Sequence, residues 1–390
     1  MLTASFLSNE ILWPHGFERG VLSLSAGLIT QEVQQPSIDL AGYMILPGMV
    51  DVHGDAFERH IAPRRGLVND RIDGILATEA EVAANGITTA VLPQFWSWEG
   101  GIRSPEFAES FFQAMRSVRG RVATSLIGQL RLEVHMVDDF ERLPDLLSKW
   151  DVNYVVFNDH LPPDILLMNE QSPRIVRQAL RAKRSPIKHY RLLSDLRHRR
   201  DGVPAAVDRL ARKLRNQSVL IGTHDEADGT CWPQWSQRGA KISEFPITAE
   251  AAVAAKRDGA LVVIGAPNVV RGGSHNGNLD ARELVAAGLV DVIASDYHYP
   301  SLLQAIKSLN ERNISDFSAA WSLVSSKPAA LLGLSDRGQL SSGLRADIVV
   351  LHQETGRVAA TIAGGCVSYL SGPIAERFMA NGVSSASADC

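Results

Sequence analysis

Six apolar segments alternate with helix-like segments along the middle of the chain, and this alternation limits the fold more than any other feature. The apolar segments are "ITTAVLPQ", "VATSLIGQLRLEVH", "VNYVVFNDH", "SVLIGTHDE", "ALVVIGAPN" and "VDVIASDYH". Strands that are separated by helices usually pair in parallel. The sequence therefore predicts an α/β protein with a parallel sheet, which is either a closed barrel or an open doubly wound sheet.

Polar residues at the ends of these strands favour the barrel. They are His53 with Asp55, Glu133, His160, His224 and Asp296. A barrel gathers the carboxyl ends of all its strands on one face, whereas an open sheet spreads them along a crevice. No Gly-x-Gly-x-x-Gly motif follows an early strand, which weakens the dinucleotide-binding alternative. We expect a distorted (β/α)8 TIM barrel.

The two ends of the chain have a different pattern. Short apolar stretches split by turn residues, such as "GVLSLSAGLIT" and "GQLSSGLRADIVVL", indicate β-strands. We expect residues 1–47 and 335–380 to form one small β-sandwich domain and residues 48–334 to form the catalytic barrel. Residues 381–390, "NGVSSASADC", are small and polar, and we expect a disordered tail.

Charge and composition exclude several classes of partner. The formal net charge of the 390 residues is -4, which gives no basic field for nucleic acid. The first residues, "MLTASFLSNEILWP", contain neither a basic region nor a long apolar run, and the three cysteines form no Cys-x-x-Cys pair. We expect a cytoplasmic protein that binds no membrane.

The strand-end residues are typical metal ligands. In a strand, residues i and i+2 face the same side, so His53 and Asp55 would project together. Imidazoles and carboxylates at one barrel mouth suit zinc, manganese or iron, and such a set can hold two divalent ions about 3.5 to 4 Å apart. Glu133 is the natural bridge between two ions, although His135 lies two residues further and could compete. We expect two ions and favour zinc.

Several motifs together resemble the amidohydrolase superfamily: "LPGMVDVH" entering the barrel, a lone Asp at the last strand and "GQLSSGLRADIVVL" near the end. Most members of that superfamily carry His-x-His on the first strand, whereas this chain has His53-x-Asp55. That departure, with "RLEVH", "THDEAD", "SEFPITAEAA", "GAPNVVRGGSHNGN" and "ASDYHYPSLLQA", resembles the branch of diphosphatases that act in phosphonate degradation by the carbon-phosphorus lyase pathway.

The resemblance implies both a ligand set and a reaction. It implies metal-ligand or metal-adjacent roles for His53, Asp55, His160, His224 and Asp296, with Glu133 as the bridge. It also implies release of pyrophosphate from α-D-ribose 1-methylphosphonate 5-triphosphate, which leaves the 5-phosphate. Asp296 is suited to act as the general base for the attacking water.

A triphosphate substrate also requires cations, and the sequence offers them in two well-placed segments. One follows a predicted barrel strand and comprises Arg271, Gly272, Gly273, Ser274 and His275. Arg64 and Arg65 follow the first strand, and arginine suits bidentate phosphate binding. A third segment, 174–200, has ten Lys or Arg residues against one acid. We interpret most of that segment as a solvated helix face.

Two other functions remain open on the sequence alone. A hydrolase of a cyclic amide, imide or lactone would use the same ligands, but it would need one arginine at most. A catalytically inactive barrel that acts as a scaffold predicts the loss of ligands, and all six positions carry competent residues. We expect a homo-oligomer, either a dimer or a tetramer, with a small phosphorylated substrate.

Overall fold

The structure is a computed structural model that describes residues 1–64, 67, 70–272 and 280–381. Four predicted site residues, Arg65, Gly273, Ser274 and His275, lie outside the described residues, as does the predicted tail beyond residue 381. The chain divides into two compact units. One comprises Met1–Leu92, Ser117–Ile127 and Val263–Cys390, and the other comprises Pro93–Arg116 and Gly128–Val262.

The described chain contains β-strands and α-helices in the following order. The strands are β1 Ala4–Trp13, β2 Gly16–Ser25, β3 Leu28–Thr30, β4 Ser37–Asp39, β5 Tyr43–Pro47, β6 Met49–Asp51, β7 Ile87–Trp96, β8 Ser125–Glu133, β9 Tyr154–Asn158, β10 Leu220–His224, β11 Ile242–Glu244, β12 Leu261–Gly265, β13 Val292–Ala294, β14 Ile348–His352, β15 Val358–Ala363 and β16 Cys366–Leu370. The helices are α1 Glu58–Ile61, α2 Arg71–Ala84, α3 Pro105–Val118, α4 Leu143–Trp150, α5 Pro173–Arg181, α6 Pro186–His198, α7 Val203–Asn216, α8 Trp232–Arg238, α9 Ala249–Arg257, α10 Ala266–Arg271, α11 Ala281–Ala286, α12 Ser301–Glu311, α13 Phe317–Ser322, α14 Ser326–Leu331 and α15 Pro373–Ala380.

Strands from both ends of the chain share one largely antiparallel sheet in the order β16-β15-β14-β5-β1-β2-β3, with β4 paired to β1. Alternate residues of these strands point into a buried apolar core that includes Phe6, Ile45 and Ile348. This sheet confirms the predicted β-rich part formed from the two termini. The domain limits at residues 47 and 335 stay predictions.

The strands β6 to β13 form one parallel sheet in chain order. Its first and last strands meet, because Gly54 and Asp296 form a parallel bridge just beyond β6 and β13. Helices lie between the strands along the chain, which is the (β/α)8 pattern. The predicted barrel is therefore confirmed and is nearly closed.

A buried carboxylate joins the first strand to the last. Asp51 is fully buried at the end of β6 and accepts hydrogen bonds from Ser295 N at 2.9 Å and from Ser295 Oγ at 2.5 Å. His53 N donates a third bond to Asp51 at 3.3 Å. Burial raises the pKa of Asp51, although these donors act against that rise.

The helices α5 and α6 carry the basic segment. Arg174, Arg177 and Arg181 are exposed on α5, as expected for a solvated face. The inner side of the segment packs a small apolar cluster with Trp98 and includes a buried histidine, His189. Burial, helped by the charge of Arg184, lowers the pKa of His189 to about 4.

Within the described part of the chain, no helix combines the length and apolar character needed to cross a bilayer.

The replacement Ser295→Ala should lower the free energy of unfolding by about 1–3 kcal/mol, because a fully buried carboxylate oxygen loses its hydroxyl donor. Urea unfolding followed by far-UV circular dichroism measures this change. Ser308→Ala is the matched control, since Ser308 lies on α12 and its Oγ accepts a 3.3 Å bond from Arg312. Equal stability of S295A and wild type would contradict the closing role of Asp51.

The pKa of His189 predicts an acid-dependent loss of stability. As the pH falls, the His189 imidazole is protonated near pH 6.5 in the unfolded chain but only near pH 4 in the folded chain. The free energy of unfolding therefore decreases by up to about 3 kcal/mol as the pH falls over that interval. The replacement His189→Phe should remove this part of the pH dependence, which urea unfolding at pH 7.5 and pH 4.5 will measure. His198→Gln, at an exposed position of the same helix, should leave it in place.

Candidate active site

In the unit that contains both chain termini, the ends of the first and last barrel strands bring three predicted site residues together. Asp296 N donates to His53 O at 2.9 Å, and Asp55 N donates to Asp296 O at 3.0 Å. The side chain of His53 is fully buried, whereas Asp55 and Asp296 are half-buried. A histidine and two carboxylates therefore lie within one short stretch of paired backbone.

The local backbone differs from the expected continuous strand. The strand β6 ends at Asp51, and Asp55 begins a short 3-10 helix, Asp55–Phe57. Strand-like pairing continues only at Gly54. A Cβ at residue 54 would lie 2.5 Å from Asp51 Oδ2 and 2.6 Å from Tyr299 Cε1. Glycine at this position therefore allows the buried carboxylate and the Tyr299 ring to pack against the backbone.

Three residues within two positions of the end of a barrel strand have left-handed backbone. The φ angles are +60° at Asp225, +55° at Phe245 and +57° at Asp296. Aspartate tolerates this region, but a bulky aromatic residue rarely adopts it. Such strain clusters at functional sites, where the surrounding structure holds it.

In the other unit, the strand register places four polar residues at one level. Glu133 pairs with Asn158, His224 pairs with Glu244, and the pairing of β9 with β10 aligns the two pairs. All four lie at the carboxyl ends of neighbouring parallel strands, which is the active-site face of such a barrel. His160, chosen from the sequence, lies two residues beyond the end of β9.

His160 folds back onto Glu133. Its Nδ1 lies 2.5 Å from Glu133 Oε1, and its backbone N donates to Glu133 Oε2 at 3.1 Å. Burial lowers the pKa of His160, but the Asp225 carboxylate, 3.7 Å from its Nε2, and the hydrogen bond to Glu133 outweigh burial and raise the pKa to about 9. Glu133, His160 and Glu99 each offer one ligand atom, and these atoms lie within 4.8 Å of one another.

This donor set fits a divalent metal ion of the kind expected. Two carboxylates and one imidazole are ligands for zinc, manganese or iron. Glu99 is not among the residues predicted from the sequence. Its position after β7, in "WSWEGG", is a strand-end carboxylate of the same kind as the others.

His224 is held from both sides. Arg131 NH2 donates to His224 Nε2 at 2.9 Å, and His224 Nδ1 lies 3.0 Å from Asp225 Oδ2. The guanidinium of Arg131 is buried and lies over the Phe95 ring at 4.1 Å. Coordination of a metal ion by His224 Nε2 would require Arg131 to move from that nitrogen.

Glu244 is a buried carboxylate that the sequence reasoning missed. It accepts hydrogen bonds from Gln129 Nε2 at 2.8 Å and from Tyr154 OH at 2.5 Å, and all three side chains are buried. Burial and the charge of Glu244 raise the pKa of Tyr154 well above its ordinary value. Glu244 stands at the end of a strand in "SEFP", which is a position typical of site residues, but the strand is only three residues long.

The predicted phosphate-binding residues are only partly described. Arg64 is exposed and bridges to Leu67. Arg271 does not directly follow a strand, because α10 intervenes, and Gly272 caps that helix with φ +87°. Arg271 NH2 donates to Tyr297 OH at 2.9 Å.

A second arginine, missed from the sequence, approaches the same tyrosine. Arg59 NH1 donates to Tyr297 O at 3.3 Å. Tyr297 follows Asp296 directly, so two guanidinium groups contact the residue next to the predicted general base.

The replacement Tyr154→Phe should lower the free energy of unfolding by about 1.5–3 kcal/mol, because it removes a buried hydrogen bond to a carboxylate. Denaturant unfolding is the measurement. Tyr369→Phe on β16, where the side chain is half-exposed, is the matched control. An unchanged stability in Y154F would show that Glu244 does not need this donor.

Comparison with known proteins identifies the family. No protein-family model matches the sequence. The alpha-D-ribose 1-methylphosphonate 5-triphosphate diphosphatase of Escherichia coli (strain K12) is 30% identical over 370 residues, which cover 90% of this chain and 94% of the relative.

Solved structures share the fold at low sequence identity. A Xaa-Pro dipeptidase with bound methionine superposes with a TM-score of 0.64 at 13% identity, covering 95% of this chain and 100% of the other. A D-hydantoinase gives a TM-score of 0.61 at 13% identity, covering 95% and 97%. N-acetylglucosamine-6-phosphate deacetylase from Pasteurella multocida gives 0.61 at 10% identity, covering 94% and 99%. The chain has the amidohydrolase fold and belongs to the family of the α-D-ribose 1-methylphosphonate 5-triphosphate diphosphatase.

Proposed function

We propose that this chain is a metal-dependent hydrolase that releases pyrophosphate from α-D-ribose 1-methylphosphonate 5-triphosphate and leaves the 5-phosphate. The single observation that carries this proposal is the relative of that activity, which matches nine-tenths of the chain. The polar residues at the strand ends support it. We further propose a cytoplasmic homo-oligomer, and we retain the barrel limits 48–334 as a proposal.

Each unit supplies residues that would hold divalent ions. These are His53, Asp55 and Asp296 in one unit, and Glu99, Glu133, His160 and His224 in the other. A bound divalent ion polarises a phosphoryl oxygen and lowers the pKa of water towards about 7. Zinc suits this mixture of imidazole and carboxylate, and manganese or iron are the alternatives.

Asp296 is the proposed general base. Its backbone is fixed by bonds to His53 and Asp55, and Gly265 leaves room for its carboxylate, since a Cβ there would lie 3.2 Å from Asp296 Oδ2. A carboxylate held in one orientation can accept the proton of the attacking water as the new P–O bond forms.

Arginines are the proposed groups for the leaving pyrophosphate. Arg59 and Arg271 converge on Tyr297, and Arg64 lies in the loop after α1. Arginine binds phosphate oxygens in bidentate geometry and keeps its charge at any working pH. Arg65 and the segment 273–275 remain part of this proposal from the sequence.

Hydrolysis of a cyclic amide, imide or lactone is the second candidate. The D-hydantoinase shares the fold at 13% identity, which supports the architecture and not the substrate. Two arginines lie beside the proposed base, and Arg59 also pairs with Glu81. Their excess positive charge favours a polyanion, because a small cyclic amide offers no charge to neutralise. A scaffold without activity would not need this constellation.

Phosphorus NMR of metal-loaded protein with α-D-ribose 1-methylphosphonate 5-triphosphate tests the proposal. Pyrophosphate should appear, and a chelator should stop its release until zinc or manganese is returned. The replacement Asp296→Asn should slow release by about 10²- to 10⁴-fold, which is the usual contribution of a general base.

Asp258→Asn is the matched control, since Asp258 follows α9 and pairs with neighbouring Arg257. Release at the wild-type rate in D296N would remove Asp296 from the mechanism. Absence of any phosphorus change in metal-loaded wild type, together with opening of a hydantoin, would replace the proposal with the cyclic amide activity.

A further inference from the structure

A cavity of about 540 Å³ lies beside the ends of β8, β9 and β10, within one unit of the chain. Its volume is in the range of small-molecule sites. The apolar part of the lining includes Phe157, Val207 and Trp235. The ring centroids of Phe157 and Trp235 lie 5.2 Å apart. The polar part of the lining includes Asn158 and Asp159.

The amide of Asn158 is the most informative group in this cavity. The side chain is 1% exposed, and neither its oxygen nor its nitrogen has a hydrogen-bond partner among the described residues. A buried amide without partners is costly, so native proteins rarely keep one unless a ligand or water satisfies it. Asn158 lies at the strand level of Glu133 and is part of the cavity lining.

More carboxylates than guanidinium groups line the cavity, which favours a neutral ligand over a polyphosphate. The carboxylates of Asp159 and Asp225 are 51% and 42% exposed, and Asp201 also belongs to the lining. The guanidinium groups of the lining are those of Arg200 and Arg238, and Arg238 is paired with Asp208 at 2.7 Å. Hydroxyl groups suit such a lining, because they donate to carboxylates and both donate to and accept from an amide.

We propose that this cavity is the sugar subsite and that Asn158 determines specificity by binding the two neighbouring hydroxyls of a pentose. The amide nitrogen donates to one hydroxyl, and the amide oxygen accepts from the other. The Trp235 and Phe157 wall then covers the apolar face of the ring. The inference deepens the proposed function and rests on it for the identity of the sugar.

The replacement Asn158→Leu keeps the size of the side chain and removes both polar atoms. Because it relieves an unsatisfied buried amide, the thermal midpoint should stay equal or rise by a few degrees. At the same time, kcat/KM for the ribose triphosphate should fall by about 10- to 100-fold, which corresponds to the loss of one or two hydrogen bonds. Lower stability together with unchanged kcat/KM would overturn the assignment.

Direct binding separates this inference from the proposed reaction. Saturation-transfer NMR with methyl α-D-ribofuranoside and with its 2,3-dideoxy analogue tests binding directly. Wild type should bind the diol but not the dideoxy analogue, and N158L should bind neither. Asn158→Asp, which keeps an acceptor, should retain part of the binding. If pyrophosphate is released but N158L still prefers the diol, the subsite is wrong. If the diol preference depends on Asn158 but no pyrophosphate is released, the reaction is wrong and the subsite stands.

Discussion

The buried carboxylate of Asp51 is the interaction on which the barrel mouth depends. It ties the end of β6 to the residue after β13 through the backbone and hydroxyl of Ser295, and it also accepts from His53 N. Burying a carboxylate costs free energy unless donors surround it. Three donors at this position fix the first and last strands in register, and the backbone of Asp296 then pairs with that of His53.

Little space is available where the ends of β6 and β13 meet. Glycines and a left-handed backbone at Asp296 allow the chain to pack there. Gly54 and Gly265 leave room for the carboxylates of Asp51 and Asp296. Asp296 itself has φ +57°, a conformation that costs free energy but aims the strand end away from regular pairing. The strain is local, because the buried ladder below it holds the backbone.

The sequence predicted the fold well, since apolar strands alternating with helices have few packing solutions. It also selected His53 and Asp296, whose polar side chains interrupt apolar runs at strand ends. It did not select Glu244 or Asn158, because a three-residue strand gives little periodicity and because His160 in "FNDH" is the more obvious ligand type. The register with Glu133 shows that Asn158 occupies the strand-end level, and register is a tertiary property that periodicity alone does not give.

Charge distinguishes the two kinds of binding group. The arginines at Tyr297 belong to the unit with the chain termini, whereas the lining of the cavity in the other unit is rich in aspartate. A triphosphate is a polyanion, whereas the hydroxyls of a pentose are neutral. Arginines stabilise a bound triphosphate. Aspartates would repel a triphosphate but accept hydrogen bonds from the hydroxyls of a pentose. The arginines therefore favour a substrate with a polyphosphate group, and a small cyclic amide has no comparable charge.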